Sequence, residues 1–401
     1  MNKNLKIGGI GALVLAAAVL LLVFGAGAGK AKQKPWSVRM AESEIKRNPE
    51  GWMLDFSQKL KWNYCHGLVC QSFLDVYDRY GDEKLFAYVN QFADTMIYDN
   101  GGIIAYNPEE YSLDRINSGK ILYRLYNRTK TEKYKAALAL QRHQLVDHPR
   151  TQEGVFWHKK VYPCQVWLDG QYMGLPFYAQ YGRDFNEPAI FDDVVSQIKL
   201  VRKHLYDPKT GLYRHAWDEC REQQWADSIT GQAPNVWGRA VGWWAMALVD
   251  VLDYLPQDHS GRDSVILILN DLARAVVNFQ DSKTGVWYQV ADQGERKGNY
   301  LESSCSTMFV YSLLKGVRNG YLDKSYLKPA RKGYQGILAQ FIKENGDGTI
   351  SITQACSVAG LGGKPYRSGT FDYYISEPVR DNDPKAVGPF IMASLEMEAL
   401  K

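Results

Sequence analysis

The chain has 401 residues, of which 45% are apolar, and its formal net charge of +4 comes from 48 basic and 44 acidic side chains. This length suits one large domain or two ordinary ones, and no stretch has the basic density of a nucleic-acid-binding arm. The 11 Trp and 26 Tyr side chains combine a flat apolar face with a polar edge, which suits sugar rings as well as protein cores. Any bound anion is expected to be small and to meet a local Arg or Lys.

Residues 1–28 have the pattern of an export signal. A basic start precedes an apolar run from Ile7 to Ala28 that ends in small residues, as secretory signals do. The run is also close to the length that spans a bilayer, so an uncleaved membrane anchor is the alternative. Both interpretations predict export to the periplasm or the extracellular space, with residues 29–38 as a linker and residues 39–401 as a single domain.

Short glycine-containing turns recur along the chain, each followed by alternating aromatic and apolar residues. They begin at Asp99, Glu153, Asp207, Asp281 and Asn345, and the first three are 54 residues apart. The turns at Asp207 and Asp281 share the pattern D-x-K-T-G. The turns therefore indicate an internal repeat.

The segments between these turns have helical periodicity. Residues 236–256 carry apolar side chains at three- and four-residue spacing and end at Pro256. Another helix is predicted from the Asn117-Ser118 cap, a third ends at Gly320, and the last opens at Pro384, a favourable first helical residue. Two helices and one turn, repeated about six times, fit the length of the chain. We predict an all-α fold, an (α/α)6 barrel with short strands and turns on its funnel face; an open superhelix is the alternative.

The six cysteines have no C-x-x-C spacing and do not indicate a zinc site. An exported chain can form disulfides, but the sequence does not determine which cysteines pair. They are Cys65, Cys70, Cys164, Cys220, Cys305 and Cys356.

One carboxylate, Asp169, lies in an unusually apolar stretch, PCQVWLDGQYMG. Burial against Trp167, Tyr172 and Met173 would favour its neutral form, whereas a helix N-terminus would favour the charged form. A neutral carboxyl held in this place could act as an acid catalyst. The alternative is that Asp169 is simply a helix N-cap.

A second carboxylate, Asp114, stands just ahead of the predicted helix start at 117–118. It is either a loop carboxylate paired with Arg115 or Lys120, or a second functional carboxylate that acts on Asp169 or on sugar hydroxyls.

Arg239 stands among tryptophans at a predicted helix start, where the helix dipole disfavours a cation. A planar guanidinium beside Trp237 and Trp243 suits a clamp for a carboxylate. The alternative is that Arg239 pairs with a structural Asp and stacks on a Trp.

His158 and His215 occupy corresponding places in two of the recurring turns. Turns on one face of a ring would direct both side chains into one funnel. Lys159, next to His158, could meet an anion there.

Several long motifs resemble the unsaturated rhamnogalacturonyl hydrolases, glycoside hydrolase family 105. They run from about residue 39 to the C-terminus and include YSLDRINSGK, EGVFWHKKVYPCQVWLDGQYMG, NVWGRAVGWW, YLESSCSTMF and VAGLGGKPYRSGTFDYYISEPVR. The resemblance implies an (α/α)6 fold and a small acidic oligosaccharide as the partner, and it implies no metal and no organic cofactor.

The resemblance also implies a reaction in which a 4,5-unsaturated uronic acid is removed from the non-reducing end of a lyase product. Asp169 matches the residue that protonates C4 of the vinyl ether and then activates the water that adds at C5, and Asp114 matches the second carboxylate. Other residues match substrate-contacting positions, with Tyr64 in a region, WNYCHG, that departs from the usual motif. These residues are His158, Lys159, Trp167, Met173, His215, Trp237, Arg239, Trp243 and Tyr64.

Three alternatives remain open at this point. One is the related family 88 activity on unsaturated glucuronyl ends of glycosaminoglycan or ulvan fragments. The second is an inverting glycosidase that uses Asp114 and Asp169 as base and acid. The third is a sugar-binding protein without catalysis. The sequence does not indicate the oligomeric state.

Overall fold

The computed structural model describes residue 1 and residues 34–400. The predicted leader and the linker up to residue 33 lie outside this range, apart from residue 1. Within the range, no helix is both long and apolar enough to cross a membrane. The compact unit begins at Trp36, inside the range predicted as linker, and the hydroxyl of Ser37 donates to Glu398 at 2.7 Å.

The described chain contains thirteen α-helices. In chain order they are α1 Trp36–Arg47, α2 Tyr64–Tyr80, α3 Glu83–Met96, α4 Lys120–Thr129, α5 Glu132–Val146, α6 Leu168–Asp184, α7 Ala189–Leu205, α8 Gly238–Val251, α9 Arg262–Asn278, α10 Ser303–Arg318, α11 Leu327–Phe341, α12 Phe371–Ser376 and α13 Pro384–Ala399.

Six short strands form three antiparallel pairs. They are β1 Gln165–Trp167 with β2 Ala216–Asp218, β3 Ile342–Glu344 with β4 Ile350–Ile352, and β5 Ala355–Cys356 with β6 Val379–Arg380. In the first pair, Val166 lies opposite Trp217.

The helices form six pairs in an inner and an outer layer, so the predicted (α/α)6 barrel is confirmed. The inner helices are α2, α4, α6, α8, α10 and α13, and their outer partners, in the same order, are α3, α5, α7, α9, α11 and α1. Helix α8 is buried along its whole length, as expected for a helix without a solvent face, and α6 and α10 are buried along most of theirs. Helix α4 meets α6 partly through the 3-10 turn Asn117–Gly119.

The ring closes between the two ends of the chain, so the alternative of an open superhelix is wrong. Helix α13 packs on both α1 and α2. A side chain at Gly388 in α13 would collide with Leu68 in α2, whose Cγ would lie 2.8 Å from the added Cβ. The contact between Ser37 and Glu398 joins the first helix to the last.

The D-x-K-T-G repeat has the same geometry at both of its positions. The backbone N–H of Asp207 donates to the carbonyl of Leu212 at 2.9 Å, and that of Gly211 donates back to Asp207 at 2.8 Å. The corresponding bonds at Asp281 and Gly285 measure 3.0 and 2.9 Å. The repeated sequence pattern therefore reports a repeated turn.

Two predicted helix ends differ from the structure. Asn117 and Ser118 are not a cap: their side chains donate to the carbonyls of Tyr64 and Asn63, at 2.9 and 2.6 Å. Helix α8 ends at Val251 instead of continuing to Pro256. Arg262 takes up the carbonyls at positions 252 and 255, so the helix can stop a turn early with these acceptors satisfied.

A disulfide joins Cys164 to Cys220. It links the residue before β1 to the segment after β2, and so fixes both strands of the first pair at one end. The other cysteines, at positions 65, 70, 305 and 356, are free and buried.

Lys120, the first residue of α4, is a buried lysine without a carboxylate partner in the described residues. Its Nζ donates to the carbonyl of Tyr172 at 2.9 Å and lies 3.6 Å from the centre of that ring. Burial lowers the pKa of Lys120 to about 7, against the opposing effect of Asp250. Between pH 7 and its ordinary value of 10.5, the unfolded chain therefore holds a proton here that the folded chain lacks.

We expect this lysine to make stability fall as the pH drops from 10.5 towards 7, and to have no further effect below 7. Lys120→Met removes that dependence. The wild type loses stability between pH 9.5 and pH 7.5, and the variant does not. The free energy of unfolding of the variant minus that of the wild type should therefore rise by up to about 2.7 kcal/mol over this range. Urea unfolding at the two pH values measures the difference, with exposed Lys332→Met as the control. An equal difference at both pH values would contradict the expectation.

Candidate active site

Asp169 lies in the first turn of α6, directly after the strand β1. The N-cap position belongs to Trp167, whose backbone is extended, so the interpretation of Asp169 as the cap is wrong. Its side chain is 15% exposed, and therefore it is sheltered but reachable from solvent. The fold places this carboxylate at the N-terminal end of an inner helix that is buried along most of its length.

His215 is the nearest basic group to Asp169. Its Nε2 lies 3.2 Å from Oδ2 of Asp169, yet neither atom has a directed hydrogen bond within the described structure. The other ring nitrogen, Nδ1, shares a hydrogen bond of 2.7 Å with the hydroxyl of Tyr374. The hydroxyl of Tyr374 thus holds the ring of His215 from behind, with Nε2 on the side of the Asp169 carboxylate.

Aromatic rings flank His215. The ring of Trp167 stacks on His158 at 4.8 Å between centroids and meets His215 edge-on at 5.1 Å. Trp237 lies 4.8 Å from His215 on another side. The two histidines therefore converge on one site, as their matching turn positions predict.

His158 is an uncharged member of the site at neutral pH. Burial lowers its pKa to about 4, although Asp114 acts in the opposite direction. Its Nδ1 has no hydrogen-bond partner in the described structure. Gly170 permits this approach, since a Cβ there would lie 2.8 Å from Nδ1 of His158. The glycine that follows Asp169 in the motif thus leaves room for the histidine ring.

Asp114 forms a close ion pair with Lys159, at 2.5 Å between Oδ2 and Nζ. The alternative in which Asp114 pairs with Arg115 or Lys120 is therefore wrong. Burial alone would raise the pKa of Asp114, but Lys159 and His158 outweigh that effect, and the pKa is lower than usual. The carboxylate is consequently charged, and its Oδ1 lies 3.8 Å from Nε2 of His158.

This ion pair borders a cleft of about 610 Å³. Tyr64, Asp114 and Lys159 from the predicted set line it. The remaining lining residues are Lys61, Asn63, Glu110, Ser112, Arg115, Lys160, Val161 and Val358.

Trp243 and Met173 complete the set on the inner side of the barrel. Trp243 stacks on Tyr172 at 4.9 Å and meets the ring of Tyr64 edge-on at 6.2 Å. Met173 lies one turn after Asp169 on the same face of α6. Both Trp243 and Met173 are buried, so their predicted contact with a substrate needs a ligand that reaches deep into the funnel.

Arg239 is fully buried, and most of its guanidinium is already bound. Nε donates to Ser304 at 2.8 Å, Nη2 donates to the carbonyl of Cys356 and lies 3.7 Å from Glu302. The group also lies 5.1 Å from the ring of Trp237. Arg239 thus adopts the alternative given above, in which it pairs with a structural carboxylate beside a Trp; the carboxylate is Glu302 instead of the expected Asp. Only Nη1 lacks a partner in the described structure, and a contact with a substrate carboxylate would have to use that atom.

Sequence reasoning missed two residues at this site. Tyr374 supports His215, and Glu302 supports Arg239. Glu302 directly precedes α10, where its side chain accepts from the backbone N–H of Cys305 at 2.8 Å. The helix dipole favours an acidic side chain near a helix N-terminus, which could have identified Glu302; nothing in the local pattern marks Tyr374.

No three His, Cys, Asp or Glu side chains among residues 34–400 are grouped so that they could hold a metal ion. The polar groups of the site are instead two carboxylates, two imidazoles, an ammonium and a guanidinium. This set can exchange protons with a ligand and bind its polar groups.

Comparisons with known proteins cover the whole barrel. A sequence model described as Glycosyl Hydrolase Family 88 matches residues 36–401. Among solved structures, a family 105 glycoside hydrolase from C. acetobutylicum ATCC 824 shares 47% sequence identity with a TM-score of 0.88, and the match covers 91% of this chain and 100% of that one.

Two further relatives are more distant. The unsaturated rhamnogalacturonyl hydrolase YesR of Bacillus subtilis (strain 168) is 26% identical over 306 residues, which cover 75% of this chain and 81% of YesR. The unsaturated glucuronyl hydrolase of Bacillus sp. GL1 is 15% identical with a TM-score of 0.64, over 90% of this chain and 95% of that one. At 15% identity, the likeness concerns the fold alone.

Proposed function

The chain belongs to Glycosyl Hydrolase Family 88 and is a glycoside hydrolase, and we propose that it removes a 4,5-unsaturated uronic acid from lyase-generated oligosaccharides of the rhamnogalacturonan type. The observation that carries this proposal is the sheltered carboxyl of Asp169, which lies 3.2 Å from His215; indole rings flank His215 on two sides. The substrate is an acidic oligosaccharide with a vinyl ether at its non-reducing end.

In the proposed reaction, Asp169 donates its proton to C4 of the double bond. The positive charge that develops at C5 is stabilised by the ring oxygen, and water adds at C5 while the Asp169 carboxylate takes up a proton from that water. The product is a hemiketal, which opens and releases the aglycone sugar. A correctly placed acid-base group of this kind contributes a factor of roughly 10² to 10⁴.

The surrounding residues support this assignment. His215, held through Tyr374, lies beside the acid and can orient it or the incoming water. Asp114 is charged and paired with Lys159, so it suits hydrogen bonding to sugar hydroxyls better than proton donation. Because the reaction hydrates a double bond, the distance rule for retaining and inverting glycosidases does not apply to Asp114 and Asp169.

The rhamnogalacturonan preference is supported by sequence similarity. YesR is named an unsaturated rhamnogalacturonyl hydrolase, and it is 26% identical to this chain. The YesR match extends over 306 residues, whereas the unsaturated 3S-rhamnoglycuronyl hydrolase of Formosa agariphila, also 26% identical, matches over 194 residues. Hydration of unsaturated glucuronyl ends from glycosaminoglycan or ulvan is the second candidate activity.

A panel of lyase digests tests the proposal. Purified protein is incubated with digests of rhamnogalacturonan, ulvan and chondroitin, and the ultraviolet absorbance of the double bond is followed. We expect the fastest loss with the rhamnogalacturonan digest. A faster loss of absorbance with the ulvan or the chondroitin digest would contradict the rhamnogalacturonan preference. Release of sugar from saturated oligosaccharides without any loss of absorbance would identify an ordinary glycosidase. Binding without turnover would indicate a sugar-binding protein.

We also propose that the protein is exported, with residues 1–28 as a cleaved signal or a retained anchor. The apolar run after a basic start supports this, and the disulfide between Cys164 and Cys220 suits an oxidising compartment. Fractionation of the producing cells, with N-terminal sequencing of the recovered protein, tests both points. Recovery of the full-length chain in the cytoplasm would exclude export.

A further inference from the structure

The fold fixes both partners of the hydrogen bond between Tyr374 and His215. The backbone N–H of Leu168 donates to the carbonyl of His215 at 3.1 Å, and the side-chain amide of Gln289 donates to the carbonyl of Tyr374 at 3.0 Å. Neither Tyr374 nor His215 has exposed surface. The distance of 2.7 Å between the Tyr374 hydroxyl and Nδ1 of His215 is therefore set by the protein and not by a ligand.

The direction of this hydrogen bond follows from the partners of the Tyr374 hydroxyl. Among the described residues, Nδ1 of His215 is the one atom with which this hydroxyl forms a hydrogen bond. Burial raises the pKa of Tyr374 well above its usual value, so the hydroxyl keeps its proton. A buried donor without an acceptor is costly. The arrangement that avoids this cost is the one in which the hydroxyl of Tyr374 donates to Nδ1.

This direction determines which ring nitrogen of His215 carries the hydrogen. A neutral imidazole has one N–H donor, and its other nitrogen is an acceptor. If Nδ1 accepts from Tyr374, the hydrogen is on Nε2, the atom that lies 3.2 Å from Oδ2 of Asp169. These two atoms are close but not aligned as a hydrogen bond in this structure, which is common at active sites before the substrate binds.

We propose that Tyr374 is a positioning residue for the reaction: it fixes the tautomer of His215 that has its hydrogen on Nε2, beside Asp169. The inference rests on the proposed function, in which Asp169 gives its proton to C4 of the double bond. With this tautomer, His215 cannot take that proton from Asp169, because Nε2 already carries a hydrogen and Nδ1 is occupied by Tyr374.

The same tautomer also supports the step after proton transfer. When the proton has moved to C4, Asp169 is left as a carboxylate, and Nε2–H of His215 can donate to it until the carboxylate takes up a proton from the attacking water. A hydrogen bond that strengthens as this charge develops lowers the barrier of the chemical step. The effect of Tyr374 should therefore be on kcat.

Nuclear magnetic resonance of the wild-type protein tests the tautomer without any substrate. The protein is labelled with ¹⁵N-histidine, and the signals of His215 are assigned among the seven histidines by their absence from His215→Gln. At the pH of the activity assay, we expect Nε2 of His215 to carry a hydrogen and Nδ1 to carry none. A hydrogen on Nδ1, alone or together with one on Nε2, would overturn the inference.

Tyr374→Phe tests the effect on the reaction, because it removes the hydroxyl and retains the ring. We expect kcat to fall about tenfold and KM to change less than about twofold, since Tyr374 has no exposed surface that could meet a ligand. His215 should then no longer be held in one tautomer. Tyr334→Phe is the matched control: the hydroxyl of Tyr334, a buried residue in α11, donates to Ser394 at 2.9 Å, far from His215 in the chain. It should retain both kcat and the His215 signals.

The possible results separate this inference from the proposed function. An unchanged kcat in Tyr374→Phe, or a higher KM with kcat preserved, would overturn the positioning role. If Tyr374→Phe did not fold, the spectrum of the wild type would decide the inference by itself. Absence of hydration by the wild type with every lyase digest would instead refute the proposed function, whatever the tautomer of His215.

Discussion

Asp169→Asn is expected to lower the rate of double-bond hydration by a factor of at least roughly 10² to 10⁴ without unfolding the protein. The amide has nearly the shape of the carboxyl, but it can neither donate an acidic proton nor take one up from water. Loss of absorbance in single-turnover reactions measures the chemical step, and urea unfolding measures the fold.

Asp192→Asn is a matched control for this substitution. Asp192 is an exposed carboxylate in α7 that lies 3.2 Å from His259. Like Asp169 it is close to a histidine, but it lies outside the site. It should retain full activity. Full activity of Asp169→Asn would show that Asp169 is not the acid. If Asp169→Asn were unstable, its lower rate would be explained by unfolding and would not support a catalytic role.

Glu302→Gln is expected to destabilise the protein by about 3 to 5 kcal/mol, because it removes the paired carboxylate from the buried guanidinium of Arg239. Neither side chain has any exposed surface. The carboxylate also accepts from Ser304 and from the backbone N–H of Cys356, at 2.8 and 3.0 Å. An amide at position 302 would direct its NH₂ group at donors.

The double variant Arg239→Met/Glu302→Gln separates the charge effect from lost packing. If the two groups act as a pair, the double variant should lose less stability than the sum of the single variants. Glu396→Gln provides the comparison, because its partner Arg318 is partly exposed and such a pair contributes about 1 kcal/mol or less. Additive losses at positions 239 and 302 would contradict the pairing.

The fold could be predicted from the sequence wherever local signals and packing agree. Helix α13 opens at Pro384, with the side chain of Asp383 accepting from the N–H of Lys385, and α10 is followed by Gly320 in the left-handed region. At 117–118 the local cap signal was misleading, because the two side chains bind the backbone of α2 and of the residue before it instead of their own helix. Such a distant partner leaves no trace in the local pattern.

Much of the site also follows from the sequence, because His158, Lys159, Trp167 and Asp169 lie within one short segment. The residues that hold these groups in place come from far along the chain. His215 and Tyr374 are 159 positions apart, and the disulfide partners are 56 apart. Periodicity and spacing report neighbours within an element, so contacts of this range had to come from the fold.

The closure of the ring has a consequence for chain topology. Five of the six helical pairs are covalent hairpins, and the sixth is split between the beginning and the end of the barrel, α1 and α13. Because Ser37 touches Glu398, a short peptide that joins residues 36 and 400 would make the sixth pair continuous as well. A circular permutant with new ends in an exposed turn, such as the one at Lys130 between α4 and α5, should then keep the same architecture, since such sites tolerate new termini.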